Sequence, residues 1–323
     1  MKRLLLVTLW LLSSIGLFAA EEEVALEAAW GTLRGTLWLP STPGDTALVM
    51  IAGSGPTDRY GNSKAGIQTQ AYALLAQEIS EAGYALLSYD KRGIAASYYN
   101  NPEAILTDCR FAYYVDDAER WVEELHRRGY AHIYLIGHSE GAKIALQVAV
   151  RNPKVEGVIS LCGPGFPIDE ILKVQLAAQL LAVDYSLYAQ ACRIIDTLKR
   201  GETPDPEQIP ASLQGLFPPY LNTFYHEDMA CDPCQVARRL TCPLLIVSGG
   251  RDIQVSAANG EALKKAYPSA EVALFERMTH TLKESEGSSM QTQMEAYTNP
   301  SLPLAAGLVE RILEFLRKSQ ACR

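Results

Sequence analysis

The stretch Ile133-Tyr-Leu-Ile-Gly-His-Ser-Glu-Gly141, with Ala142-Lys-Ile-Ala-Leu-Gln-Val-Ala149 after it, constrains this chain more than any other part. A β-favouring apolar run enters a Gly-x-Ser-x-Gly pentapeptide, and a helical apolar pattern leaves it. Strand, tight turn and helix in immediate succession make a nucleophile elbow, which holds a serine clear of the backbone at the end of a sheet. A Cβ at Gly137 or Gly141 would collide with neighbouring backbone, and the turn forces Ser139 into a strained conformation. The N–H of Glu140, at the helix start, then points at whatever Ser139 attacks. An ordinary serine in a glycine-rich turn is the competing reading, so the rest of the chain must supply partners for a nucleophile.

Around the elbow, residues 47–51, 84–89, 155–161, 243–248 and 271–275 read as strands, mostly continuous apolar runs of the kind buried on both faces of a parallel sheet. Helical patterns at 71–82, 115–128, 257–267 and 304–318 alternate with them, and 24–40 reads as a leading β-hairpin. Residues 100–110 look like an irregular excursion. Strands alternating with helices imply right-handed crossovers, hence an α/β fold with a mostly parallel central sheet flanked by helices. The alternation breaks from Phe166 to about Arg239, where helical sequence is interrupted by Pro204, Pro206, Pro210, Pro218 and Pro219. This span reads as a helical cap inserted into a domain covering 21–323.

The chain is 323 residues long and 48 % hydrophobic, enough to bury a large core without disulfides or metals. Its formal net charge of −8 argues against nucleic acid as a partner, because phosphate binding needs a basic surface. Met1-Lys2-Arg3, the apolar run 4–18, Ala19-Ala20 and Glu21-Glu22-Glu23 form a secretory signal-peptide pattern over 1–20. The run is short for a stable membrane span, so a secreted or periplasmic product is expected. Phe18, bulky at the third position before a cut after Ala20, leaves a retained anchor as the alternative. Seven cysteines are present. Cys231 and Cys234 are candidates for a redox pair or a disulfide, or, with His226 and Cys242, for a metal site. The lack of a second Cys-x-x-Cys speaks against the metal.

Serine is a weak nucleophile and needs a general base, which in turn needs an orienting carboxylate. In a parallel sheet, ligand chemistry gathers beyond the carboxyl ends of the strands. Ser139, Asp252 and His280 occupy such ends, in the chain order of a serine hydrolase built on this elbow. His280 is the only histidine after Asp252. His126 and His132 sit on a helix and at a strand start, His138 is the motif's variable residue, and His226 lies in the cap. Asp252 has a competing role as a turn-capping aspartate. Gly53-Ser54-Gly55 follows the strand that supplies the second oxyanion donor, which points to the N–H of Ser54 beside that of Glu140. A phosphate-cradling loop is disfavoured because no Gly-Lys-Ser/Thr ending follows.

Gly137-His-Ser-Glu-Gly141, the Asp252 loop and His280 resemble the α/β-hydrolase superfamily. Ile51-Ala-Gly-Ser-Gly-Pro-Thr-Asp-Arg59, Tyr89-Asp-Lys-Arg-Gly-Ile94 and Asn299-Pro-Ser-Leu-Pro-Leu-Ala305 narrow the resemblance to bacterial carboxylesterases of the esterase D type, related to serine aminopeptidase-like hydrolases. It implies Ser139 as nucleophile, His280 as base, Asp252 as its orienter and oxyanion amides at Ser54 and Glu140. A small-molecule ester would be cleaved through an acyl-enzyme, with no metal or organic cofactor. Ala95-Ala96-Ser97 departs from the Gly-x-Ser of such proteins, and the cap matches least. A serine aminopeptidase or thioesterase with the same triad is one alternative, and a non-catalytic binding protein on the same fold is another. Apolar cap positions (Ile171, Leu172, Leu176, Leu180) and aromatics (Phe217, Tyr220, Phe224, Tyr225) predict a roofed pocket for short uncharged acyl chains, acetyl to hexanoyl. Packing of the cap on itself is the competing use of those residues.

Overall fold

A computed structural model describes residues 20–321, so nearly all of the expected leader, with Cys322 and Arg323, lies outside the described residues. The chain opens with the hairpin β1 (Ala20–Ala28) and β2 (Gly31–Leu39), followed by β3 (Thr46–Ile51). A small ribbon, β4 (Asn62–Ser63) with β5 (Ile67–Gln68), precedes α1 (Ala71–Glu81) and β6 (Ala85–Tyr89). Next come β7 (Tyr98–Tyr99), the single turn α2 (Ala104–Thr107), α3 (Phe111–Arg127), β8 (His132–His138), α4 (Glu140–Arg151) and β9 (Val155–Leu161). Four helices separate β9 from the next strand: α5 (Ile168–Leu180), α6 (Tyr185–Lys199), α7 (Asn222–Ala230) and α8 (Pro233–Ala237). The chain ends with β10 (Leu244–Gly249), α9 (Ala257–Ala266), β11 (Glu271–Phe275), α10 (Met290–Thr298) and α11 (Leu308–Ala321).

The main sheet runs β1-β2-β6-β3-β8-β9-β10-β11, with β7 also paired to β2. From β6 to β11 every neighbour is parallel, and only β2 runs against the rest, antiparallel to its neighbours β1, β6 and β7. Alternation along each strand fills two cores. Val49, Ile51 and Leu135 meet Trp121 of α3 and Leu146 of α4 on one face. Leu48, Met50 and Ile136 meet Leu75 of α1 and Phe315 of α11 on the other. Both faces are covered, which is why β3 reads as an unbroken apolar run.

Residues between β9 and β10 hold a third cluster of their own, with Leu176, Ile195, Phe217, Tyr225 and Met229 at its centre. The edges of elements differ most from the sequence reading. Helix α3 begins at Phe111 rather than Val115, and α11 begins at Leu308 because Gly307 (φ 82°) turns the chain first. Helix α10 went unpredicted. Its signal is a capping box in which Ser289 accepts from the Thr292 N–H, with threonine in place of the usual Glu or Gln.

Candidate active site

The loops leaving four parallel strands, β3, β8, β10 and β11, carry the site. At the end of β8, Ser139 adopts φ 55° and ψ −124°, and its N–H donates to the Leu161 carbonyl at 2.9 Å. A Cβ at Gly137 would strike the backbone of Gly141 and Ala142, and one at Gly141 would strike the carbonyls of Ile51 and Ala52. The strained serine is therefore held from two sides, by its own helix and by β3.

His280 sits in the loop after β11. It is buried, and its Nδ1 lies 2.8 Å from Asp252 Oδ2. The other carboxylate oxygen, Oδ1, accepts from the N–H groups of Gln254 and Val255, each at 2.8 Å. Burial would raise the pKa of Asp252, but the charge and hydrogen bond of His280 and the two amides outweigh it and hold the carboxyl below its ordinary value. The carboxylate thus stays ionised and places the proton of a neutral His280 on Nδ1, leaving Nε2 as the basic atom. Asp252 thus caps its own turn through one oxygen and meets His280 through the other.

His138, the variable residue of the pentapeptide, does structural work there. Its Nε2 lies 2.7 Å from the His280 carbonyl, an acceptor only, so Nε2 carries the proton. Its Nδ1 therefore accepts from the Tyr72 hydroxyl at 2.7 Å, and Tyr72 in turn accepts from the Gly53 N–H at 3.3 Å. Burial pushes the pKa of His138 down to about 3, with the nearby His280 acting in the same direction, so this ring stays neutral. The chain Gly53–Tyr72–His138–His280 ties the loop after β3 to the loop that carries His280.

The segment after β6 braces the loop after β3. Asp90 accepts from Arg59 twice, from N at 2.7 Å and from Nε at 3.0 Å, and Lys91 Nζ donates to the Gly53 carbonyl. Arg92 pairs with Asp117 of α3 at 2.5 and 2.8 Å, between the rings of Trp30 and Tyr113. Ser97 donates to the Asp90 carbonyl at 2.7 Å and accepts from the Arg34 N–H at 2.8 Å, and Ala95 takes φ 47° where a glycine would sit unstrained. Among the described residues, the N–H groups of Ser54 and Glu140 find no acceptor in the protein.

Ser139 lies between two spaces. A crevice of about 80 Å³ is lined by Gly53, Tyr72, His138, Ser139, His280 and Tyr297. A chamber of about 510 Å³ lies on the other side, between Ser54, Ser139, Glu140 and the residues Ile171, Leu172, Tyr220, Phe224 and Tyr225 of the helical segment. The remaining named positions, Leu176, Leu180 and Phe217, pack that segment on itself. Sequence reasoning missed the polar wall of the chamber: Lys91, Lys143, Asp228 and the carboxyl of Glu140, of which only the N–H was anticipated, all on buried residues. Lys143 pairs with Asp228 Oδ1, while Asp228 Oδ2 has no hydrogen-bond partner among the described residues. Burial pushes the carboxyls of Glu140 and Asp228 up, against the pull of the lysines beside them.

Cys231, Cys234, Cys242 and His226 do not gather. Among the described residues all six cysteines are free thiols, Cys234 donates to the Gly165 carbonyl at 3.0 Å, and His226 faces the Glu202 carbonyl at 3.1 Å. His138, Cys162 and His280 do lie close, with ligand-type atoms within 4.8 Å of one another. Their ring nitrogens are already committed to Tyr72, to the His280 carbonyl and to Asp252, all except His280 Nε2.

Esterase EstD of Thermotoga maritima is 28 % identical to this chain over 265 residues, 80 % of this chain and 60 % of that protein, so the chain spans less than two thirds of that relative. An esterase of Pyrococcus furiosus superposes with a TM-score of 0.57 at 14 % identity, covering 93 % of this chain and 91 % of the other. Est1E of Butyrivibrio proteoclasticus, solved with ferulic acid bound, superposes with a TM-score of 0.59 at 16 % identity, covering 92 % and 99 %. At those identities the two structures speak for an α/β-hydrolase fold. The family described as serine aminopeptidase, S33, matches residues 65–286. That span takes in the elbow, the inserted helices and both loops that meet at Ser139, and on it the chain belongs to the serine aminopeptidase S33 family.

Proposed function

We propose that this chain is a serine carboxylic-ester hydrolase with Ser139 as nucleophile, His280 as general base and Asp252 as its orienter. The observation that carries the reading is His280, held at Nδ1 by an ionised Asp252 and lining the same crevice as the elbow serine. His280 Nε2 takes the proton as Ser139 Oγ attacks the ester carbonyl. The oxyanion meets the unpartnered N–H groups of Ser54 and Glu140, one at the end of β3 and one at the start of α4. His280 then protonates the departing alcohol, and water activated by the same ring releases the acid.

His280 lines the crevice and not the chamber, so the leaving alcohol belongs on the crevice side and the acyl group in the chamber. The chamber is apolar on the side of α5 and α7 but charged along α4, where Lys143 stands about one helical turn from Ser139. A long alkyl chain would desolvate those charges, which favours short acyl groups despite the space. The test is Ser139→Ala. Hydrolysis of aryl esters should fall on the order of 10³-fold or more, with loss of fluorophosphonate labelling and an unchanged fold. A variant retaining half the activity would end this reading.

A second reading changes the acyl group. Among the described residues Asp228 Oδ2 has no donor, and the Glu140 carboxyl lines the same chamber, which suits an acyl group bearing a protonated amine. Aminoacyl anilides cleaved faster than any simple ester would establish it. We also propose export through residues 1–20, on the basic start and apolar run of that segment. No helix among the described residues is long and apolar enough to cross a membrane. Intact mass of the mature chain beginning near Glu21 is the expected result, and a membrane-bound chain retaining Met1 would overturn it.

A further inference from the structure

Of the three consecutive charged residues after β6, two have obvious structural partners: Asp90 holds Arg59, and Arg92 holds Asp117. Lys91 does not follow them. Its side chain is buried, which lowers its pKa, and Glu140, the carboxylate that pulls the other way, does not come within ion-pair distance of it. Its ammonium donates to a single acceptor, the Gly53 carbonyl, and faces the Tyr114 ring at 5.9 Å. A buried cation without a paired anion is costly, so stability alone is a poor reason for a lysine here.

The acceptor is informative. Gly53 C=O and Ser54 N–H belong to one planar trans peptide group, so they point in opposite directions. Holding the carbonyl fixes the orientation of the amide on the far side. The preceding peptide is held as well, because the Gly53 N–H donates to Tyr72. Both peptide planes flanking Gly53 are thus braced, at a residue whose added Cβ would stand 3.1 Å from the Ser139 Cβ. A charge-assisted bond to a carbonyl also polarises the whole peptide group and strengthens its N–H as a donor.

We propose that Lys91 is a positioning residue for the oxyanion hole, turning and polarising the Gly53–Ser54 peptide so that the Ser54 N–H meets the charge that develops in the transition state. The proposal rests on the hydrolase reading above. Deleting one oxyanion donor costs roughly 10²–10³-fold in kcat, and Lys91 acts through such a donor without supplying it, so a loss of about 10–100-fold is expected.

The test uses the full chain with Lys91→Met and Lys91→Gln. In Lys91→Met, kcat for an aryl ester should fall while KM stays within about twofold, because the carbonyl oxygen gains its charge only on the way to the tetrahedral state. Affinity for an alkyl boronic acid, which forms a tetrahedral adduct on Ser139, should fall by the same factor. The melting temperature should hold or rise. Lys91→Gln keeps a neutral donor and should fall between Met and wild type, and it carries the test if the Met variant fails to fold. Unchanged kcat, a loss confined to KM, or unchanged boronate affinity would overturn the proposal while leaving the hydrolase reading intact. A wild-type chain that cleaves no ester and takes no fluorophosphonate would remove both.

Discussion

Replacing Asp228 with alanine leaves the Lys143 ammonium buried with no carboxylate to meet it. In the intact pair the lysine side chain is 1 % exposed and the aspartate 0 %, so solvent screens neither. Breaking a buried pair from one side costs about 3–5 kcal/mol. The Phe111 ring, 4.8 Å from the ammonium, offsets roughly 0.5–2 kcal/mol by cation–π attraction and moves the expectation to the lower half of that range. At ~2–4 °C per kcal/mol for chains of 150–250 residues, the melting temperature should drop by about 5–15 °C.

Two companions separate this mechanism from simple cavity formation. Lys143→Met with Asp228→Leu removes both charges, keeps most of the volume and should be near neutral or stabilising. Lys143→Met alone strands Asp228, whose carboxyl burial already pushes up in the intact protein. A folded pKa above the unfolded one contributes stability that is complete below the unfolded carboxyl range and is lost as pH rises. The deficit of Lys143→Met should therefore be small near pH 4 and larger at pH 8. Urea unfolding of the three variants at both pH values measures this. If Asp228→Ala cost less than 1 kcal/mol, or the double variant lost the sum of the singles, the pair would not act as argued.

Asp252→Asn should reduce kcat by up to about 10⁴-fold with little change in fold, because the amide cannot hold His280 in the same tautomer. Its carboxyl is held low in the folded state, so the intact protein should lose this residue's contribution as pH falls through the folded pKa, and the variant should lose less on acidification; urea midpoints between pH 5 and pH 3 check the sign. Tyr72→Phe leaves the Gly53 N–H and His138 Nδ1 buried without partners and should cost about 2–6 kcal/mol, from ~1–3 for each unsatisfied group. A Tyr72→Phe protein within 0.5 kcal/mol of wild type would mean that the Gly53–Tyr72–His138 chain carries little.

What could be read from the sequence divides along physical lines. The elbow is local: Gly137, Ser139 and Gly141 are covalent neighbours, and the collisions that demand glycine arise from any strand–turn–helix of that tightness. Asp252 and His280 are distant in sequence, yet that their side chains meet was legible because βα alternation fixes where each loop emerges, at the carboxyl edge of the sheet. Lys143 and Asp228 were not legible. A lysine four residues into a helix reads as solvated, and it is buried here only because α7, 85 residues further on, lays Asp228 against it. His138 is the same case. Its pentapeptide position accepts many residues, and its use depends on Tyr72, 66 residues before, and on the His280 carbonyl, 142 after.

The common cause is the segment between β9 and β10. In a bare parallel sheet the carboxyl edge is wet, and polar side chains there carry no message beyond solubility. Helices α5 and α7 close over that edge, so charges next to the elbow pass into a chamber where each must find a partner or a use. Asp90 and Arg92 found partners on neighbouring elements. Among the described residues Lys91 found only a carbonyl as hydrogen-bond acceptor, and that carbonyl belongs to the peptide whose amide is proposed to serve the oxyanion hole. For a roofed α/β sheet, the informative polar residues are therefore those that burial leaves without an ion-pair partner, and they have to be sought along the strand ends beneath the roof.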